Sequence, residues 1–290
     1  MAGLNIFWVV FLMIQQTFFS KANSTESLVA TLYVFGDSSV DAGNNNNINK
    51  FAKANRYPYG IDFNNKSTGR FTNGKTFADI IAINLGLPLP PPYLGVSESE
   101  RYKVATGFNY ASRACGIVND TRNGDCLSLD KQVKYFNSTV TNDLQKHFQS
   151  KEEVPHHLSE SLYLLSIGSC DYALNYFRRT TYKDKTPIEF VDYLLENLVS
   201  KLKLSCSLFI SSNPFNFFNE IRKAPEKFGF KTLTKACYVD GQPISENPKD
   251  FYYFDFAHGT KANYEIYANE CFSGSRLCSP TNIEQLVHAT

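Results

Sequence analysis

Two apolar patterns organise this chain. Short unbroken runs rich in β-branched and aromatic residues read as buried strands; longer stretches with apolar residues three and four apart read as helices. The first run, Leu32-Tyr33-Val34-Phe35, stops abruptly at Gly36-Asp37-Ser38-Ser39, which predicts a strand, a sharp turn and a helix start. Thr76 to Leu85 places Phe77, Ile80, Ile81 and Leu85 on one helical face; Gly86 closes that helix and Pro88, Pro90, Pro91 and Pro92 forbid its continuation. Gly107 to Ser112 reads as a short strand and loop, and Leu129 to Phe148 as helical. Ser161 to Gly168 is the second clear strand, ending in the polar turn Gly168-Ser169-Cys170-Asp171. At Thr186-Pro187-Ile188-Glu189 a capping Thr, a Pro at the first helical position and a Glu closing a capping box begin a helix. Ile188, Val191, Leu194, Leu195, Leu198 and Leu202 form its apolar stripe. Leu208-Phe209-Ile210 is a brief apolar run. Phe251 to Phe254 is the last strand, ending in Asp255-Phe256-Ala257-His258-Gly259, and a short helix follows over Lys261 to Phe272.

Strands separated by helices predict an α/β fold with a mostly parallel sheet covered on both faces. In such sheets, sites gather at the carboxyl ends of strands. Three of the polar turns lie there: at Ser38, at Gly168 to Asp171, and at Asp255 to His258.

Ile6 to Ile14 is an unbroken apolar run, and Ser20-Lys21-Ala22 offers a small-x-small cleavage site. Residues 1–22 therefore read as a signal peptide and 23–290 as a single domain in the secretory route. The run is too short for a comfortable membrane span, and no later segment supplies one. Glycosylation sequons at Asn23, Asn65, Asn119 and Asn137 agree with secretion, as do seven cysteines. Cys115 with Cys126, then Cys271 with Cys278, are the first pairs to expect; seven is odd, so at least one cysteine stays unpaired or pairs outside the chain. The cysteine spacing is no zinc pattern, so no metal is expected. A net charge of +1 with no basic block gives no reason to expect a nucleic-acid partner.

A serine at a strand-to-helix turn is where acyl-transfer chemistry places a nucleophile, with a scaffold behind it and backbone donors beside it. The same turn also reads as a simple helix cap. A nucleophilic serine needs a base, and the base needs a carboxylate to hold its tautomer. Of the five histidines, only His258 follows a strand end with a carboxylate, Asp255, in the same turn; that pair reads equally as a local cap.

The combination decides between these readings. Phe35-Gly36-Asp37-Ser38-Ser39-Val40-Asp41-Ala42-Gly43-Asn44-Asn45, Tyr59-Gly60-Ile61-Asp62-Phe63, Thr68-Gly69-Arg70-Phe71-Thr72-Asn73-Gly74, Pro91-Pro92-Tyr93-Leu94, Gly107-Phe108-Asn109-Tyr110-Ala111-Ser112, Phe254-Asp255-Phe256-Ala257-His258 and Asn282-Ile283-Glu284-Gln285-Leu286 together resemble the plant GDSL esterase/lipase family of SGNH hydrolases. The resemblance implies a three-layer α/β/α fold of the SGNH-hydrolase, flavodoxin-like kind, and no cofactor. It makes Ser38 the nucleophile, His258 the general base and acid, and Asp255 the residue orienting it. The implied substrate is a small carboxylic ester or lipid.

The chain departs from that family in three places. The third block normally reads Gly-x-Asn-Asp, its Asn amide donating to the oxyanion; here it is Gly168-Ser169-Cys170-Asp171, and a thiol is a weak donor. Arg113 stands where Gly or Ala is usual, so Arg113 and Cys170 mark a doubtful oxyanion hole. Between the helix ending at Leu202 and Asn213 the chain is much shorter than typical members, with Leu208-Phe209-Ile210 as a possible remnant of an inner strand. Three functions are left open: an active secreted serine esterase, a catalytically silent relative that binds an acyl ligand or a partner protein, and an esterase acting on acetylated cell-wall sugars.

Overall fold

The computed structural model describes residues 27–48, 53–121, 126–150, 152–178, 180–202 and 208–289. The candidate leader 1–22, the Asn23 sequon and Cys206 lie outside them. In chain order the main elements are β1 (Thr31–Gly36), α1 (Phe77–Asn84), α2 (Leu129–Ser138), α3 (Leu144–His147), α4 (Glu153–Ser159), β2 (Ser161–Ser166), α5 (Pro187–Leu202), β3 (Ser211–Ser212), α6 (Pro214–Lys223), β4 (Thr232–Ala236), β5 (Phe251–Tyr253), α7 (Lys261–Ser273), β6 (Cys278–Ser279) and α8 (Ile283–Val287).

β1 is buried at every position. It pairs in parallel with β2, from Thr31 against Ser161 to Gly36 against Ser166. On its other edge the extended stretch 106–112 runs alongside: Val34 N–H donates to Phe108 O at 3.0 Å, Tyr110 N–H to Val34 O at 2.8 Å and Ser112 N–H to Gly36 O at 3.0 Å. Side chains alternate across the strand. Leu32 and Val34 enter a core with Ile80 and Ile81 of α1, Leu85 at its C-terminal cap, Phe217 and Ile221 of α6, and Ala268 of α7. Tyr33 and Phe35 face the opposite way, onto Tyr93, Phe108 and Tyr110, with Tyr135 and Phe136 of α2 packed against them. Burial on both faces is why β1 reads as an unbroken apolar run. The layering is α/β/α.

The sheet is less continuous than the sequence predicts. Among the described residues, β1–β2 and β4–β5 are parallel pairs and β3–β6 is an antiparallel pair. Among those residues β2 has no strand on its outer edge, and Leu208-Phe209-Ile210 is not a strand. Exposure follows. Tyr163 and Leu165 on β2 are open to solvent, as are Ile188, Val191, Leu195 and Val199 on α5. That helix buries only Phe190 and Leu194, against Ile117, Val118 and Tyr182. Half of its predicted core stripe therefore faces water. Its start is as expected: Glu189 N–H donates to Thr186 Oγ1 at 3.3 Å, and Thr186 N–H to Glu189 Oε2 at 2.7 Å.

Other local expectations also differ in detail. The helix expected directly after Ser38 is a turn over 37–40 followed by a 3-10 turn, Asn44–Asn47. The helix over 129–148 holds a π-helical stretch, Thr139–Asp143, between α2 and α3. Cys115–Cys126 and Cys271–Cys278 are disulfides, and Cys170 and Cys237 are free thiols. Asn65, Asn119 and Asn137 are exposed. No described helix is long and apolar enough to cross a membrane.

Candidate active site

The turn that carries Ser38 is fixed by its neighbour. Asp37 is buried; its Oδ1 accepts from Ser39 N–H at 2.9 Å and Ser39 Oγ at 2.8 Å, and its Oδ2 accepts from Ser169 Oγ at 2.6 Å. Its own N–H donates to Ser166 O at 3.0 Å. Gly36, at the end of β1, has φ +154°, and a Cβ there would stand 2.2 Å from Ser166 O, so only glycine lets the turn lie this close to β2. Ser38 is left partly exposed at the carboxyl end of the strand, and its backbone N–H makes no hydrogen bond among the described residues.

Asn44 and Asn45, the first half of the asparagine run after it, are buried wiring rather than the open loop their polarity suggests. Asp41 Oδ1 accepts from Gly43 N–H at 2.7 Å and Asn44 N–H at 2.8 Å, and burial pushes its carboxyl up to about 7. Asn44 Nδ2 donates to Asn109 O and Ala111 O. Asn45 Oδ1 accepts from Ser112 Oγ at 2.8 Å and from Arg113 N–H at 2.9 Å. The Arg113 N–H is thus committed to Asn45. The next residue, Ala114, sits at φ +63°, a conformation that disfavours a side chain.

His258 and Asp255 meet as their spacing predicts. Nδ1 lies 2.8 Å from both Asp255 oxygens. The N–H groups of Ala257 and His258 both donate to Oδ1 at 2.9 Å, closing the turn around the carboxylate. Both residues are buried. Burial works against the Asp255 charge, but the hydrogen bond from the imidazole, its charge and these two N–H groups outweigh it and hold the carboxyl below the usual carboxylate range. An ionised Asp255 only accepts, so Nδ1 carries the proton and Nε2 is the basic nitrogen. The Phe71 ring packs against the imidazole at 5.1 Å between centroids, with the Arg113 guanidinium 5.1 Å from the centre of that same ring.

The structure does not join Ser38 to His258 by a hydrogen bond. Cys170 is a half-buried free thiol, pushed up to about 12 by burial and the nearby Asp37 charge. It is protonated at neutral pH and a weak donor. Its neighbour Asp171 is structural, accepting from Ile117 N–H at 2.8 Å and Thr121 Oγ1 at 2.6 Å. Among the described residues no cluster of three or more His, Cys, Asp or Glu is placed to hold a metal. A cleft of about 340 Å³ lined by Tyr57, Pro58, Tyr238 and Ile244 includes none of Ser38, Asp255 and His258.

Sequence reasoning overlooked Tyr59, whose hydroxyl donates to Asp255 Oδ2 at 2.9 Å, and the buried Arg70–Asp79 pair at 2.7 and 2.8 Å. A tyrosine in a proline turn carries no signal of a partner 196 residues away, and an arginine in a glycine turn none of its pairing with the first turn of the next helix.

Residues 32–276 match the family described as GDSL-like Lipase/Acylhydrolase. The chain belongs to this family. GDSL esterase/lipase At2g04020 of Arabidopsis thaliana is 34% identical over 307 residues, covering 92% of this chain and 94% of that protein. GDSL esterase/lipase 7, also from Arabidopsis thaliana, is 39% identical over 344 residues, with 92% and 94% covered. GDSL esterase/lipase At1g71691 of the same plant is 41% identical over 341 residues, with 91% and 87% covered. All three alignments run longer than this 290-residue chain, so those relatives contain positions with no counterpart here. Membership places the chain among the carboxylic ester hydrolases of the α/β class.

Proposed function

We propose that this GDSL hydrolase is a secreted serine esterase that cleaves small carboxylic esters or lipids through Ser38, His258 and Asp255. The observation that carries the reading is the buried His258–Asp255 pair, with Nδ1 at 2.8 Å from the carboxylate, in the same structure as a serine raised on the turn after β1. His258 Nε2 takes the Ser38 proton as Oγ attacks the ester carbonyl. Asp255 stabilises the imidazolium, which then protonates the departing alcohol. Water repeats the sequence on the acyl-enzyme, releasing the acid and regenerating Ser38. The Ser38 N–H is the backbone donor that supports an oxyanion. Secretion is supported by the apolar leader pattern and by exposed sequons at Asn65, Asn119 and Asn137.

A second reading, a silent relative that binds an acyl ligand or a partner, draws on two observations: the thiol of Cys170 where an amide is expected, and the Arg113 N–H already held by Asn45. Hydrolysis of p-nitrophenyl acetate and butyrate, with fluorophosphonate labelling, separates the two. Activity and labelling that disappear in Ser38→Ala support the esterase; a folded protein that neither hydrolyses nor labels supports the binding protein. Acetylated oligosaccharides assayed beside the acyl esters test the cell-wall alternative.

A further inference from the structure

Asp255 is held by four donors from two distant parts of the chain. Three belong to its own turn: the N–H groups of Ala257 and His258, and the His258 ring. The fourth is the Tyr59 hydroxyl, 2.9 Å from Oδ2 and 196 residues away in sequence. A carboxylate has about four lone-pair sites, so this one is saturated, and it can rotate only by breaking a buried bond.

Tyr59 is itself immobilised. Its ring meets Phe71, Tyr238 and Phe254 at 6.0, 5.8 and 5.3 Å between centroids. Its carbonyl accepts from Ser67 Oγ at 2.7 Å, and its N–H donates to Arg56 O at 3.1 Å. Phe71 therefore packs against both Tyr59 and the His258 imidazole. Burial and the Asp255 charge raise the phenol well above its ordinary range, which keeps it protonated and a donor.

We infer that Tyr59 is a positioning residue for the acid–base pair, fixing the plane of the Asp255 carboxylate and tempering its basicity toward His258. The inference rests on the proposed roles of Asp255 and His258. A neutral O–H donated to Oδ2 withdraws charge from the carboxylate, so removing it strengthens the pull of Asp255 on the Nδ1 proton and favours the imidazolium. It also releases one side of the carboxylate, and misorientation at an acid–base pair is expensive. The other titratable groups around the pair are Tyr264 and Tyr238, the guanidinium of Arg113 and the carboxylate of Asp37. The two other phenols are engaged elsewhere: Tyr264 accepts from Gly259 N–H at 3.3 Å, and Tyr238 donates to Asp240 Oδ1 at 2.7 Å.

Tyr59→Phe keeps the ring and removes only the donor. The expected result is a fall in kcat of about five- to tenfold with KM little changed, and an acid limb of the kcat/KM profile moved to higher pH. In histidine-labelled protein, the His258 Nδ1–H resonance, assigned by its loss in His258→Ala, should shift relative to wild type. In the Asp255→Asn background the same substitution should have no further effect on rate. An unchanged rate, pH profile and resonance in folded Tyr59→Phe overturns the inference, as does a rate loss that persists undiminished in Asp255→Asn. The resonance is read without turnover. An inactive wild type would therefore refute the esterase reading, while the resonance in Tyr59→Phe, shifted or unshifted, would still support or overturn the positioning role. If Tyr59→Phe fails to fold, Tyr59→His, which offers a ring N–H in the same cluster, supplies the comparison: a resonance and profile like those of Asp255→Asn, not of wild type, would count against a donor role.

Discussion

Ser169 Oγ stands 2.6 Å from Asp37 Oδ2, joining the loop after β2 to the turn that carries Ser38 across 132 residues of sequence. With Ser39 occupying the other oxygen, and Ser39 Oγ 2.9 Å from Ser166 Oγ, the serine turn is tied to β2 through side chains as well as backbone. Ser169→Ala should lower esterase kcat about five- to tenfold, a cost of roughly 1 kcal/mol for a hydrogen bond to a carboxylate at a partly solvated site. The drop in melting temperature should be only a few degrees. A rate equal to wild type would show that backbone contacts alone hold the turn.

Cys170, next to Ser169 in the same loop, carries a protonated thiol. Loss of one good oxyanion donor typically costs ~10²–10³ in turnover, so Cys170→Asn should raise kcat at least about tenfold on p-nitrophenyl butyrate. A fully folded Cys170→Asn protein with unchanged kcat would mean that no oxyanion contact comes from this position.

Asp41 gives a pH dependence of opposite sign to that of Asp255. Its folded value, about 7, lies above that of an unfolded aspartate, so the folded state holds a proton that the unfolded state has already lost. This contribution to stability is therefore full below about pH 4 and falls as the pH rises toward 7. Asp255, held below its ordinary range, contributes stability that is lost as the pH drops through its folded value. Asp41→Asn keeps an oxygen for the Gly43 and Asn44 N–H groups and replaces Oδ2, which has no hydrogen-bond partner among the described residues. The variant should be more stable than wild type at about pH 7 to 8 and nearly equal at about pH 4, by urea unfolding at both values. Equal stability at the higher pH would show that Asp41 is ionised without cost.

Arg70 and Asp79 are buried together, and the guanidinium also donates to Ala42 O and Thr68 Oγ1. Removing one member of a buried pair strands the other charge, at about 3–5 kcal/mol. Arg70→Met should unfold at much lower urea than wild type, and Arg70→Met with Asp79→Leu should recover part of the loss. A single variant within about 1 kcal/mol of wild type, on the order of a surface pair, would contradict the buried geometry.

The sequence displayed what depends on local pattern. β1 was legible because a strand covered on both faces is apolar throughout, β2 because its own run is apolar although one side of it meets solvent, α1 because its apolar residues recur at helical spacing, and α5 because Thr186, Pro187 and Glu189 stand together at its start. Asp255 and His258 were legible because three residues separate them. What stayed hidden depends on partners far apart. Asn44 and Asn45 read as loop because asparagine is a turn residue, yet their amides bond to 109–113. The stripe of α5 reads as core because periodicity reports amphipathicity and not whether anything lies opposite. The sheet reads as continuous because strand patterns do not reveal which edges find neighbours.

The bond from Tyr59 to Asp255 also sets an order of events. Its two ends are made at opposite stages of synthesis, and the aromatic cluster around Tyr59 needs Tyr238 and Phe254 to be complete. A nascent chain that has emerged as far as α5 carries the serine turn and its β2 partner, but neither the imidazole nor its carboxylate. Contacts of such long sequence separation close late and slowly. The growing polypeptide should therefore stay chemically quiet through most of its synthesis, and acquire its reactivity only once β5 and the turn beyond it dock.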